Sequence, residues 1–141
     1  MSFPLFKKVM VVDDNEVDRF IAEYNLTSED LAQEVVLHES AMKGLAYLHS
    51  LAGKPDELPD LIFLDVQMPE MSGFGFLEEY MRLPESVRKK CIIMMLSSSL
   101  NPEDHARALN HNYVKRFLNK PLNVKTLRDY LTGNEVVAKR A

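Results

Sequence analysis

Two kinds of segment alternate along the chain. Short runs rich in Val, Ile, Leu, Phe and Met fall at 9–12, 35–37, 61–64, 91–96 and 114–118. Most lack the polar alternation of a half-exposed strand, which predicts strands buried on both faces. Lys115 and Arg116 break the last run and mark it as an edge strand. Between the runs, apolar residues recur at helical spacing. Val17, Phe20, Ile21 and Tyr24 stand at i, i+3, i+4 and i+7 and predict the apolar, core-facing stripe of a first helix. Ser40 is a good N-cap for a second stripe of Ala41, Leu45, Leu48 and Ala52. Phe74, Leu77 and Met81 form a third. Asn101-Pro102-Glu103-Asp104 opens a fourth helix with an N-cap, a proline at N1 and acids that the helix dipole favours. Val124, Leu127 and Leu131 supply the last stripe.

Five strand–helix pairs predict an α/β fold, a doubly wound parallel sheet with helices on both faces. Segments 53–60 and 83–90 are expected to be surface loops. No internal repeat, low-complexity tract or linker breaks the pattern, and 141 residues suit a single domain.

Composition narrows the function. The chain is 46% hydrophobic and 27% charged, typical of a globular protein. A net charge of −4 gives no support to DNA binding or to holding an anionic membrane. The lone Cys91 has no internal disulfide partner, and the start lacks a signal peptide, so a cytoplasmic location is expected. No segment approaches the roughly 20 apolar residues of a membrane span.

In such a sheet, ligands bind outside the carboxyl ends of the strands. The first run ends in Asp13-Asp14, the third in Asp65, the fourth in Ser97-Ser98-Ser99 and the fifth in Asn119-Lys120-Pro121. Three carboxylates near one another repel and call for protonation, a cation or a metal. An all-oxygen acidic site suits a hard divalent ion such as Mg²⁺. With the Lys120 ammonium and the Ser97 hydroxyl added, the set can hold a phosphoryl group on a carboxylate.

"VMVVDDNE", "LIFLDVQMPEMSGF", "IIMMLSSS" and "FLNKPL" together resemble the receiver domain of bacterial two-component response regulators. The resemblance implies a flavodoxin-like strand order 2-1-3-4-5 over about residues 6–133, followed by a tail at 134–141. It implies that Asp65 is the phosphoacceptor. Asp14 would bind Mg²⁺ (or Mn²⁺) directly, Asp13 through water, and Gln67 through its backbone carbonyl, with Asp65 completing the set. Ser97, Lys120 and the aromatic Phe117 would be the phosphate-binding and switch residues, with a cis peptide between Lys120 and Pro121. Gln67 and Ser99 would tune dephosphorylation. The implied donor is a sensor histidine kinase, and the implied output surface joins the fourth helix, fifth strand and fifth helix. That surface would dock a target protein or form a homodimer. A relay that passes phosphate to a histidine phosphotransfer protein is the alternative role. Because the sequence ends at Ala141, no output domain is expected and no enzymatic activity beyond self-phosphorylation and its reversal.

Several residues also have plainer readings. Asp13 serves as a helix cap on its own, Asp65 as a strand-end acid, and Phe117 as core. Ser98 and Ser99 suit a turn. Met94 and Met95 fit core filling. His38, His49, His105 and His111 show no metal-ligand spacing. A haloacid-dehalogenase-like phosphohydrolase also uses a strand-end Asp, but it needs a second Asp where this chain has Gln67.

Overall fold

The computed structural model describes residues 4–98 and 101–131. In chain order the elements are β1 (Phe6–Val12), α1 (Glu16–Ser28), β2 (Ala32–His38), α2 (Ala41–Ser50), β3 (Leu61–Asp65), α3 (Gly73–Tyr80), α4 (Glu85–Lys90), β4 (Ile92–Ser97), α5 (Pro102–Leu109), β5 (Val114–Asn119) and α6 (Val124–Leu131). The five strands form one parallel sheet in the order β2-β1-β3-β4-β5. This is the predicted strand order.

The two-residue period of each central strand feeds two separate cores. Met10, Val12, Ile62, Leu64, Ile93 and Met95 pack with Leu48, Phe76, Leu77, Tyr80, Val87 and Ala108 from α2, α3, α4 and α5. Val9, Val11, Leu61, Phe63, Met94 and Leu96 pack with Ala22, Leu26 and Leu127 from α1 and α6. Burying each such large aliphatic or aromatic side chain contributes about 1.5–3 kcal/mol. β2 and β5 are the two edges, and both are less buried than the strands between them.

The first helix departs from the expected orientation. Val17, Phe20 and Tyr24 are 63%, 64% and 61% exposed, while Ala22 and Leu26 face the sheet. The spacing correctly marks an apolar stripe, but it is not the stripe that packs. Small Ala22 lets the helix sit close, and the Asn25 side-chain amide donates to the Leu122 carbonyl at 3.2 Å, fixing the rotation. A period alone cannot tell which of two faces turns inward.

Three smaller differences follow. Met81 lies just past the end of α3 and is exposed, whereas Phe76 and Tyr80 are buried. The segment expected to be a loop at 83–90 contains α4, and the one at 53–60 holds a 3-10 turn at Pro55–Glu57. α4 has no apolar stripe; Val87 is its one buried residue. It begins with Glu85 and ends with Arg88, Lys89 and Lys90, the charge order that a helix dipole favours. With α4 inserted, the predicted fourth and fifth helices are α5 and α6. The tail at 134–141 and the side chain of Leu131 lie outside the described residues.

The N-caps match expectation. Ser40 accepts from the Lys43 amide at 3.2 Å and Asn101 from the Glu103 amide at 2.9 Å. At Gly73, the first residue of α3, a Cβ would stand 2.4 Å from the Asp65 carbonyl oxygen, 2.8 Å from Met95 Cε and 3.0 Å from Val66 Cα. Alanine gains about 1 kcal/mol of helix propensity over glycine, but overpacking against backbone costs about 1–3 kcal/mol and acts on Asp65 itself. Gly73→Ala should therefore lower the urea midpoint, with a net loss of about 1–2 kcal/mol. A higher midpoint would mean that the β3–α3 turn yields freely.

Candidate functional site

Val12 stands opposite Leu64, and Leu64 opposite Met95, so the carboxyl ends of β1, β3 and β4 are level. The next residue out is Asp13 after β1 and Asp65 on β3; on β4 Leu96 stands opposite Asp65, and Ser97 follows it. Among the described residues Asp13, Asp65 and Ser97 are the buried polar or charged side chains, at 2%, 4% and 1% exposure. Asp14 is exposed. Asp13, Asp14 and Asp65 each bring one carboxylate oxygen within 4.8 Å of the others.

The sequence past β5 carries the cation. The Lys120 amide donates to the Ser97 carbonyl at 2.9 Å, and the Lys120–Pro121 peptide is cis. The Lys120 ammonium lies 2.8 Å from Asp13, 2.9 Å from Asp18 and 3.2 Å from Asp65. Burial works against its charge, yet hydrogen bonds to Asp13 and Asp18 and the charges of Asp13 and Asp65 raise its pKa above the ordinary lysine value. For Asp65 the balance is reversed. Burial first, then the charge of Asp13, pushes its pKa from 3.8 up to about 7 against the pull of Lys120.

The turn after β1 is tightly held. Asp13 accepts from the Asn15 amide at 2.9 Å, and Arg19 donates to the Asp13 carbonyl at 2.7 Å. Asn15, not Asp13, caps α1, accepting from the Asp18 amide at 2.9 Å. Asp13 is thus left to face the site.

The remaining predicted residues are spread around this centre. By the strand period Ser97 follows Ile93 and Met95 toward the α5 side of the sheet, where Phe117 also packs. Phe117 stacks on His105 of α5 with ring centroids 5.0 Å apart. Gln67 is exposed and lines an open cavity of about 470 Å³ with Pro69, Phe74, Asp104 and Arg107. Ser99 lies outside the described residues. Asp18, Arg19 and His105 were not anticipated. Asp18 and Lys120 are 102 positions apart, and no local spacing announces that pairing.

Charge and donor type fit a hard divalent cation. Three carboxylates, two of them buried, exceed what one ammonium can neutralise, and every donor is oxygen.

A family model described as the response regulator receiver domain matches residues 9–132. This chain is a response regulator receiver domain. A two-component response regulator of rice (Oryza sativa subsp. japonica) is 29% identical over 123 residues, which are 86% of this chain and 52% of that protein. The chain thus spans about half the length of this relative. The receiver protein of Dyadobacter fermentans, a crystal structure, is 33% identical with a TM-score of 0.80, covering 89% of this chain and 95% of that one. The receiver domain of the histidine kinase CKI1 from Arabidopsis thaliana, solved with Mg²⁺ and BeF₃⁻, is 26% identical with a TM-score of 0.75, covering 89% and 90%. The relatives of this receiver thus include plant as well as bacterial proteins. No helix among its described residues is long and apolar enough to cross a membrane.

The Asp65 environment has a measurable cost. Folding raises this pKa, so between pH 3.8 and about 7 the folded state keeps a proton that the unfolded chain has released. The stability contributed here is full below pH 3.8 and is lost as pH rises through 7. About 1.4 kcal/mol per pH unit caps the effect at about 4 kcal/mol, and Asp65→Asn also removes an anion from Lys120. In metal-free protein, Asp65→Asn should therefore be more stable than the parent by ~1–3 kcal/mol at pH 8, the gap closing toward pH 4. Urea titrations at several pH values measure this; a gap independent of pH would contradict it.

Proposed function

We propose that this receiver is a phosphorylation switch in which Asp65 accepts a phosphoryl group from the phosphohistidine of a sensor histidine kinase. The carrying observation is the convergence of Asp13, Asp65 and Ser97, the buried polar side chains among the described residues, with Lys120 at the carboxyl end of the sheet. A Coulomb repulsion of about 4 kcal/mol between close carboxylates is hard to justify at a plain strand end. It is what an anion-accepting nucleophile with a cation site needs.

In the transfer, an ionised Asp65 oxygen attacks phosphorus, the phosphorus–nitrogen bond to the donor imidazole breaks, and an acyl phosphate forms. Lys120 donates to the phosphoryl oxygens and the Ser97 hydroxyl to another. Asp13, Asp14, Asp65 and the Gln67 carbonyl would hold Mg²⁺, with Mn²⁺ able to replace it. The ion, when bound, would neutralise charge on the phosphoryl oxygens. As Ser97 turns toward the phosphoryl group, Phe117 can move into the space on the same side of the sheet. The α5–β5–α6 surface would then change for a docking partner or a second copy.

The exposed Val17, Phe20 and Tyr24 stripe suits the donor's approach. It lies on α1, the same helix whose Asp18 reaches Lys120, so a protein seated there stands beside Asp65. A relay role toward a histidine phosphotransfer protein would use the same face.

Two tests follow. With Mg²⁺ and acetyl phosphate the intact mass should rise by one phosphoryl group, and Asp65→Asn should show no such increase. Uptake by that variant at the parent's rate would refute the assignment of the nucleophile. Phe20→Ser should slow transfer from the cognate kinase, identified by phosphotransfer profiling, by about tenfold, the loss of one exposed aromatic anchor. Its uptake from acetyl phosphate should stay unchanged. Equal slowing with both donors would place Phe20 in the fold rather than in docking.

A further inference from the structure

Lys120 is surrounded by one carboxylate more than the switch chemistry uses. Its ammonium has three N–H donors and meets three carboxylates, of which Asp18 at 2.9 Å is closer than Asp65 at 3.2 Å. Asp18 comes from α1, not from a strand end. Its place is set by the Asn15 cap on its own amide and by the Arg19 bond to the Asp13 carbonyl one residue further on. Lys120 also borders a small cavity of about 20 Å³, lined in part by Asp18, Ile21 and Pro121. The ammonium's position is set by the three anions around it.

We propose that Asp18 is a positioning residue that holds the Lys120 ammonium toward α1 and weakens its grip on an anionic group carried by Asp65. An arriving phosphoryl group must draw Lys120 away from Asp18, and Asp18 draws it back when that group leaves. The side chain of Asp18 is 36% exposed, so a protein docked on the Phe20 face can reach it. Contact there would release Lys120 at the moment of transfer. Acids in a first helical turn also serve the helix dipole, but Glu16 already does so, and that role needs no contact with Lys120.

This inference rests on the switch reading above, and its test separates the two. In metal-free protein the ¹⁵N resonance of the Lys120 ammonium, assigned by its loss in Lys120→Met, should shift in Asp18→Asn and return toward the parent in Asp18→Glu. With Mg²⁺, beryllofluoride should bind Asp18→Asn about threefold to fivefold more tightly than the parent, the worth of one partly exposed ion pair. Asp18→Glu should restore the parent affinity. An unmoved resonance, an unchanged affinity, or a tightening that glutamate leaves in place would each overturn the proposal. A parent that binds no beryllofluoride would refute the switch reading instead, while the resonance still decides whether Asp18 positions Lys120.

Discussion

One ammonium against several carboxylates is the constraint on which this structure turns. Lys120 touches Asp13, Asp18 and Asp65, which belong to three different segments of the chain. Without it, Asp13 and Asp65 would be two buried anions side by side, and stripping one partner from a buried pair typically costs about 3–5 kcal/mol. The site is therefore also a tie between the first and last thirds of the fold. It holds the loop after β5 against β1, β3 and α1.

The tie is incomplete by design of its charges. The surrounding carboxylates hold the Lys120 pKa above the ordinary lysine value, whereas burial and the charge of Asp13 push that of Asp65 up to about 7. Buried apolar strands on both sides supply the energy that keeps such a group in place. Stability is thus traded for a carboxylate that is poorly solvated, close to a cation and short of one more positive charge. A phosphoryl group with a divalent ion would complete that balance.

The strand period divides the labour between the two sheet faces. Asp13 and Asp65 share the parity of Val11 and Phe63, on the α1 and α6 side. Ser97 and Phe117 fall on the α5 side, where Phe117 stacks on His105. The charged residues and the Phe117–His105 stack thereby lie on opposite sides of a single layer, linked through the Lys120 amide bond to the Ser97 carbonyl.

Much of this was legible in the residues. Doubly apolar runs marked the strands, alternation with helical patterns gave the parallel sheet, and polar residues at the run ends named Asp13, Asp14, Asp65, Ser97 and Lys120. Those signals are local and follow from period and solvation. α4 was hidden because six residues with one buried side chain carry no stripe. The face of α1 was misjudged because Val17, Phe20 and Tyr24 have the right spacing, while Ala22 and Asn25 decide the rotation through contacts with the sheet and Leu122. Asp18 and His105 acquired their roles only where distant segments meet. The chain's own sequence determined which elements form and which end of the sheet bears charge, since hydrophobic period acts between neighbours. Only the tertiary structure decided which helix face stays open and which carboxylates share Lys120, because both depend on packing between segments that the chain keeps far apart.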